Sequence, residues 1–178
     1  MNKKVLVISG SPRKGGNSDI LCNEFIKGAT EAGNDVYKIF LGDKKFNFCT
    51  GCYACKKTGK CIQKDDMSEI LEKIMDADVI LMATPVYFYT MDGQMKTLID
   101  RTVPKYMKLK NKDIYFIATA ADGNTSALNR TIEGFRGFMD CYEGLVEKGV
   151  ILAAGVWNIG DVKNTKYMDN AYEMGQKV

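Results

Sequence analysis

Four of the six cysteines in this 178-residue chain lie in one short segment, CTGCYACKKTGKC, at Cys49, Cys52, Cys55 and Cys61. Their spacing, C-x2-C-x2-C-x5-C, is tight enough for a short loop to wrap an iron-sulfur cluster. The last interval is longer than in bacterial ferredoxins, and Ile62 stands where their proline would be. A closed set of four thiolates also suits zinc, and the same residues could remain free or oxidisable thiols. The segment 47–62 is therefore predicted to be a metal or redox loop, with these three alternatives open.

The other candidate catalytic side chains are few, because the chain contains no histidine. Ser-His-Asp and Cys-His nucleophiles and histidine-built zinc sites are excluded. Cys22 and Cys141 fall within helical patterns and are predicted to be small core residues. Asp65 and Asp66 precede a helical pattern, where their charge favours the helix N-terminus, and they are not interpreted as a catalytic carboxylate pair.

A second candidate site is the loop GSPRKGGNS at residues 10–18, which follows the first apolar run. It offers the Ser11 hydroxyl, the cations of Arg13 and Lys14, and a polar pair ahead of a helix that we expect Ser18 to cap. It lacks both the P-loop ending and the pattern G-x-G-x-x-G. Free amides at a helix N-terminus favour a phosphate, here a monophosphate ester. The alternative is a plain strand-to-helix turn.

Two further loops follow the third and fourth apolar runs. In TPVYFYTMDG, residues 84–93, Pro85 enforces an extended or turning chain, and an aromatic run, Tyr87 to Tyr89, comes next. Aromatic faces beside backbone amides suit a flat heteroaromatic ring, although these rings could instead pack against a neighbouring subunit. The loop TAADGNT, residues 119–125, is small and polar and could close over such a ring.

The elements that must position these loops alternate between strands and helices. Five apolar runs predict strands at 4–9, 35–40, 78–83, 113–118 and 150–156, and apolar positions at helical spacing separate them. This alternation predicts one α/β domain over residues 1–178, with a five-stranded parallel sheet in the order 2-1-3-4-5 and helices on both faces. Lys38 within the second run predicts an edge strand. Ligands are expected beyond the carboxyl ends of the strands.

Composition limits the functions further. The formal charge of +3 is spread along the chain without a basic stripe, so nucleic acid is not an expected partner. The longest apolar stretch, 150–157, is far shorter than the roughly 18 residues that span a bilayer, and the apolar part of the N-terminal segment is too short for a secretory signal. The sequence predicts a soluble cytoplasmic protein with no membrane partner.

The segments SGSPRKGGNS and TPVYFY, with the polar loop after the fourth strand, resemble the flavodoxin-like superfamily in its NAD(P)H-dependent FMN reductase branch. The cysteine spacing is similar to that of the iron-sulfur flavoproteins of the same superfamily, which bind one 4Fe-4S cluster beside FMN. The resemblance implies a three-layer sandwich with FMN held by three loops. The implied FMN-binding residues are Ser11, Arg13, Gly16, Asn17, Ser18, Pro85, Val86, Tyr87, Phe88, Thr119, Ala120 and Gly123, and the implied metal ligands are Cys49, Cys52, Cys55 and Cys61.

By the same resemblance, the chain is expected to be an FMN-dependent oxidoreductase in which the flavin performs the chemistry. Its electron donor would be NAD(P)H or ferredoxin, its acceptor a small molecule such as a quinone or a protein, and its assembly a homodimer or tetramer. A flavodoxin-type electron carrier is the first alternative, and the mildly basic charge disfavours it. A thiol- or metal-based redox-sensing module is the second. The sequence leaves the physiological substrate and donor open.

Overall fold

A computed structural model describes residues 2–178 and contains one central parallel sheet. Its strands are β1 (Lys4–Ser9), β2 (Asp35–Phe40), β3 (Val79–Tyr87), β5 (Lys112–Thr119) and β6 (Leu145–Ala153). They are ordered β2-β1-β3-β5-β6, and all neighbours are parallel. This confirms the predicted order. A short sixth strand, β4 (Thr90–Met91), was not predicted; it pairs antiparallel with the end of β3.

Helices cover both faces of the sheet. They are α1 (Asn17–Glu31), α3 (Met67–Asp76), α4 (Gly93–Asp100), α5 (Asn129–Met139) and α6 (Tyr167–Gln176), while the short α2 (Ala54–Thr58) lies in the cysteine segment and buries no residue. On one face, α1 and α6 pack on the sheet around Phe25; on the other, α3, α4 and α5 pack around Phe116 and Phe135, whose rings stack 4.7 Å apart. Within residues 2–178, no helix combines the length and apolar character needed to cross a membrane.

The strand boundaries differ from prediction at two places. β3 continues past residue 83 to Tyr87, because its last residues pair with β5 on one side and with β4 beyond. β6 begins at Leu145 rather than at residue 150, because it is an edge strand whose first half alternates between half-buried and exposed positions and lacks a continuous apolar run. The other edge is β2, as Lys38 indicated.

Two local predictions were wrong. Gly16, two residues before Ser18, is the N-cap of α1, because the helix already begins at Asn17 and Ser18 is buried in its first turn. Cys141 is exposed, because α5 ends at Met139 and the chain turns there. Cys22 is buried in α1 as predicted, and burial raises the pKa of its thiol to about 12.

Candidate functional site

A cavity of about 540 Å³ opens at the carboxyl ends of β1, β3 and β5. The structure brings every predicted FMN-binding residue except Gly123 to this cavity. The lining residues are Ser11, Arg13, Gly16, Asn17, Ser18, Pro85, Val86, Tyr87, Phe88, Thr119, Ala120, Ala121, Val156, Trp157 and Ile159. Its volume lies in the range of small-molecule and cofactor sites. Gly123 is exposed in the loop after β5 and does not line the cavity.

The turn between β1 and α1 forms one end of the cavity. Ser11 Oγ accepts the Arg13 N–H at 3.0 Å, and the Gly16 N–H donates to the Arg13 carbonyl at 2.9 Å. A Cβ on Gly16 would lie 2.9 Å from that carbonyl oxygen, so the turn requires glycine there. Because the first amides of a helix have no intrahelical partner, the start of α1 presents free N–H donors beside the cavity.

Two side chains at this end are available for an anion. Ser18 is 1% exposed, and its Oγ has no hydrogen-bond partner among residues 2–178. The exposed Arg13 guanidinium likewise forms no salt bridge within that part of the chain. Lys14, by contrast, is paired with Asp43 at 2.8 Å and does not line the cavity. A buried hydroxyl, free helix amides and a free guanidinium are a donor set that fits a phosphate monoester.

Asn17 lines the cavity as predicted for a phosphate-binding residue, and its side chain also joins two segments of the cavity wall. Its Nδ2 donates to the Asn158 carbonyl at 2.9 Å, and its Oδ1 accepts the N–H groups of Gly160 and Val162 at 3.1 and 3.3 Å. The carboxamide therefore ties the loop after β6 to the start of α1. The backbone amide of Asn17 remains at the helix N-terminus.

The sequence interpretation missed this loop after β6 as part of the cavity wall. Trp157 is 69% exposed and Ile159 is 62% exposed, and both line the cavity. Asp161 shapes the loop, because its Oδ2 accepts the N–H groups of Trp157 and Asn158 at 2.9 and 2.7 Å. The available signal was a lone tryptophan in a polar, glycine-containing segment directly after the last strand, at the same edge of the sheet.

The aromatic side of the cavity is a tight hairpin between β3 and β4. Tyr87 and Thr90 pair across it, and Phe88 and Tyr89 at the tip have φ angles of 51° and 64°. Two consecutive left-handed residues define a type I′ turn, for which asparagine and glycine are preferred over aromatic residues. Phe88 is fully exposed. Strain and exposure together make this turn a candidate contact surface.

The four clustered cysteines lie around a second, much smaller cavity of about 30 Å³. Within residues 2–178, no three His, Cys, Asp or Glu side chains are grouped closely enough to hold a metal ion. The loop thus brings the four thiols to one cavity without placing them at ligating distances. The Ala54 amide and the Thr50 hydroxyl lower the pKa of the Cys52 thiol, which favours its thiolate.

A larger apolar cavity of about 790 Å³ borders the same loop on another side. Cys49, Cys55 and Cys141 all line it. Its wall also includes the aromatic cluster of Tyr106, Phe138 and Tyr142, in which adjacent ring centroids lie 5.4 and 5.1 Å apart. Three of the chain's cysteines therefore border one apolar space beside α4 and α5.

The five-strand order, with a cavity at the carboxyl edge beside a helix N-terminus, defines the flavodoxin-like class of α/β proteins. Within this class, the chain belongs to the NADPH-dependent FMN reductase family, whose sequence model matches residues 3–144. This family is one of flavin-dependent oxidoreductases that use FMN and a reduced nicotinamide nucleotide.

Comparison with individual proteins agrees with this assignment. The chain is similar to an iron-sulfur flavoprotein of Archaeoglobus fulgidus, at 41% identity over 57% of this chain and 46% of that protein. It is also similar to one of Methanosarcina thermophila, at 31% identity over 98% of this chain and 93% of that protein. The solved structure of Trp repressor binding protein from Bacillus subtilis has the same fold, with a TM-score of 0.71, 23% identity and 96% coverage of both chains. The matched segment spans about half the length of the Archaeoglobus relative.

Proposed function

We propose that the cavity at the carboxyl edge of the sheet binds FMN, and that the protein passes electrons through it from NAD(P)H to an acceptor. One observation carries this proposal: the anion-binding turn after β1, the aromatic hairpin after β3 and the end of β5 all line one cavity of cofactor size. The cavity is polar at the turn after β1 and aromatic at the hairpin after β3, which matches the phosphate and the flat ring system of FMN.

The residues of the chain divide into two roles. The amides at the start of α1, the Ser18 hydroxyl and the Arg13 guanidinium hold the phosphate, which neutralises its charge at a helix N-terminus. Pro85, Tyr87 and Phe88 border the isoalloxazine on one side, and the end of β5 borders it on another. Bound FMN supplies hydride and single-electron chemistry. The protein needs no histidine acid or base for that chemistry, which agrees with its composition.

The fully exposed Phe88 supports a homodimer as the functional assembly. An exposed aromatic residue at a strained turn beside the cavity is stabilised when another surface covers it. A second copy of the chain that packs there would complete the wall of the flavin site. The acceptor belongs to the class of quinones, free flavins and other small or protein oxidants, and the donor to the reduced nicotinamide nucleotides or ferredoxins.

The proposal includes one 4Fe-4S cluster bound by Cys49, Cys52, Cys55 and Cys61. The compact spacing, the common cavity and the two relatives named as iron-sulfur flavoproteins support it. The loop contains only the five-residue helix α2 and is largely exposed, so few packing contacts oppose the rearrangement that cluster binding requires. A bound cluster supplies single-electron transfer. Zinc binding and free thiols are the competing outcomes.

The first experiment is a visible spectrum of anaerobically purified protein, followed by FMN titration and steady-state NAD(P)H oxidation. We expect flavin bands, a raised melting temperature with FMN, and turnover with a quinone, free flavin or ferricyanide. FMN binding without turnover on any acceptor would replace the enzyme with an electron carrier. A colourless protein whose melting temperature FMN leaves unchanged would refute the flavin site.

A second experiment tests the cluster by iron and sulfide analysis of the anaerobic protein. Cys52→Ala removes one proposed ligand, and Cys141→Ala is the matched control because this exposed cysteine lies outside the four-cysteine segment. We expect iron and sulfide to fall in the first variant and to stay at the wild-type level in the second. Full iron in Cys52→Ala would contradict the cluster, and zinc in place of iron would identify a structural metal site.

A further inference from the structure

The largest fully buried side chain in the described part of the protein is a charged one, Arg101, which is 2% exposed. It follows the last residue of α4, and its guanidinium forms two parallel hydrogen bonds to Asp65, each 2.9 Å long. A bidentate pair of this kind fixes the orientation of the guanidinium plane. Burying a cation is costly unless it is fully paired, so the position of this one calls for an explanation.

The partners of Arg101 lie at both ends of the cysteine segment. Its Nη1 donates to the backbone carbonyl of Asn47, two residues before Cys49, and to Oε1 of Gln63 at 3.3 Å, two residues after Cys61. One guanidinium therefore closes the segment from Asn47 to Asp65 into a loop. A cross-link of this kind lowers the entropy that a loop loses when its thiols converge on one ligand.

The same guanidinium also faces the thiols. Arg101 lines the small cavity together with all four cysteines and Asp100, whereas its partner Asp65 does not line that cavity. Its Nε is buried and has no hydrogen-bond partner among residues 2–178. Burial acts to lower the pKa of Arg101, but the hydrogen bonds and charge of Asp65, with smaller contributions from Cys61, outweigh it and raise the pKa. The cation is therefore permanent.

We propose that Arg101 is a positioning residue of the cysteine loop: it holds the two ends together and presents its positive charge to the four thiolates. This inference rests on the proposed cluster and goes beyond it, because it assigns a residue outside the cysteine segment to the stability and potential of that centre. A nearby cation stabilises the more negative, reduced state of an iron-sulfur centre more than the oxidised state. Arg101 would therefore raise the reduction potential of a cluster held by this loop.

Three variants separate charge from packing. Arg101→Met keeps the apolar stem and removes the charge, Arg101→Lys keeps the charge and removes the bidentate geometry, and Asp65→Asn removes the compensating negative charge. In EPR-monitored redox titrations of the holoprotein, we expect Arg101→Met to shift the potential downward and Asp65→Asn to shift it upward. Arg101→Lys is expected to stay near the wild-type value. A purely structural role would not move the potentials of Arg101→Met and Asp65→Asn in opposite directions.

The second part of the proposal, that Arg101 keeps the cysteine segment closed, can be measured without metal. Lys56, Lys57 and Lys60 are exposed trypsin sites inside the loop. In protein stripped of metal, we expect trypsin to cut there about fivefold faster in Arg101→Met than in wild type, because cleavage follows the population of the open loop. Far-UV circular dichroism and FMN affinity are measured on each variant to establish that the fold and the separate flavin cavity are intact. If Arg101→Met does not fold, Gln63→Ala is used for the proteolysis; it removes the contact to Arg101 and one hydrogen bond to the Phe48 carbonyl and leaves the Arg101–Asp65 pair in place.

Equal cleavage rates, together with equal potentials and iron contents, would overturn the role of Arg101. If wild-type protein takes up no iron under anaerobic reconstitution, the proposed cluster fails, and with it the assignment of Arg101 to a potential. The role of Arg101 in holding the two ends of the cysteine segment together would then be supported by faster cleavage of the metal-free variant and refuted by an unchanged rate. The two failures are therefore distinguishable.

Discussion

Asp92 lies against Gly10: a Cβ on Gly10 would be 2.8 Å from Oδ1 of the Asp92 carboxyl group. Asp92 is completely buried, caps α4 by accepting the Met95 N–H at 3.1 Å, and has an Oδ2 without a partner among residues 2–178. Burial raises the pKa of Asp92 from its ordinary value of 3.8 to about 7, and the hydrogen bonds from Met95 and Thr84 offset only part of that rise.

The raised pKa of the buried Asp92 carboxyl group predicts that the free energy of unfolding depends on pH. Between about pH 4 and pH 7 an unfolded chain loses the Asp92 proton while the folded protein keeps it, so the free energy of unfolding decreases as pH rises through this window. Above about pH 7 both states are ionised and the contribution levels off. Asp92→Asn removes this slope, which is worth a few kcal/mol at about 1.4 kcal/mol per pKa unit. Urea unfolding of both proteins at several pH values measures it.

The control for this prediction is Asp76→Asn. The hydrogen bond and charge of Lys4 lower the pKa of Asp76, so this exposed carboxylate contributes stability that is lost as pH falls, the opposite sign. Its removal should leave the decrease between pH 4 and pH 7 in place. If Asp92→Asn retains the wild-type slope, Asp92 is not the group that produces it.

A second prediction concerns the crossing of α1 and α6. A Cβ on Gly28 would overlap the carbonyl oxygen of Tyr172, so the two helix backbones are in contact there. We expect Gly28→Ala to lower the free energy of unfolding by about 3 kcal/mol through overpacking. Gly137→Ala in α5 is the matched control, because no atom outside its own helix lies within 4 Å of the added methyl group; it should raise stability by about 1 kcal/mol or less. Equal effects in urea unfolding would contradict the close crossing.

The sheet was predictable because its central strands are buried on both faces and so have continuous apolar runs. The first half of β6, with Glu147 and Lys148 in it, was not predictable, since an edge strand leaves one side in water. The end of α5 was missed for a related reason: the pattern that suggested a helix through Cys141 contains no residue that forbids one. The turn there depends on where the chain must start β6.

The candidate site was predictable as far as strand ends determine it, because loops after parallel strands meet at one edge of the sheet. Side-chain contacts between segments that are distant in the sequence could not be predicted. Asn17 is bonded to residues more than 140 positions away, and Arg101 to residues 36 to 54 positions away. In sequence, a polar residue near a helix end suggests a solvated surface or a cap. Only the folded chain shows that Asn17 joins the loop after β6 to the start of α1 and that Arg101 is buried beneath the cysteine loop.

A third prediction separates the phosphate end of the flavin cavity from its ring end. Arg13→Ala should weaken FMN binding by about tenfold, the effect of one exposed charge-assisted contact, and should leave riboflavin binding nearly unchanged. Lys14→Ala is the control, since its ammonium group is paired with Asp43 and lies outside the cavity wall. Fluorescence titration with both ligands measures the affinities. A matching loss of riboflavin affinity in Arg13→Ala would show that Arg13 acts through the fold of the turn.

The last prediction concerns the aromatic residues at the tip of the hairpin, which we expect to lower the free energy of unfolding while they contribute to FMN binding and dimerisation. Replacing Phe88 and Tyr89 by Asn and Gly supplies the residues that a type I′ turn prefers and should raise the free energy of unfolding by about 1 to 3 kcal/mol. Phe88→Ala keeps the left-handed residue and removes only the ring, so it should give no such gain. Both variants should bind FMN more weakly and dimerise less, as measured by titration and analytical ultracentrifugation. If the Asn-Gly hairpin is more stable but binds FMN and dimerises like wild type, the aromatic tip takes no part in either contact.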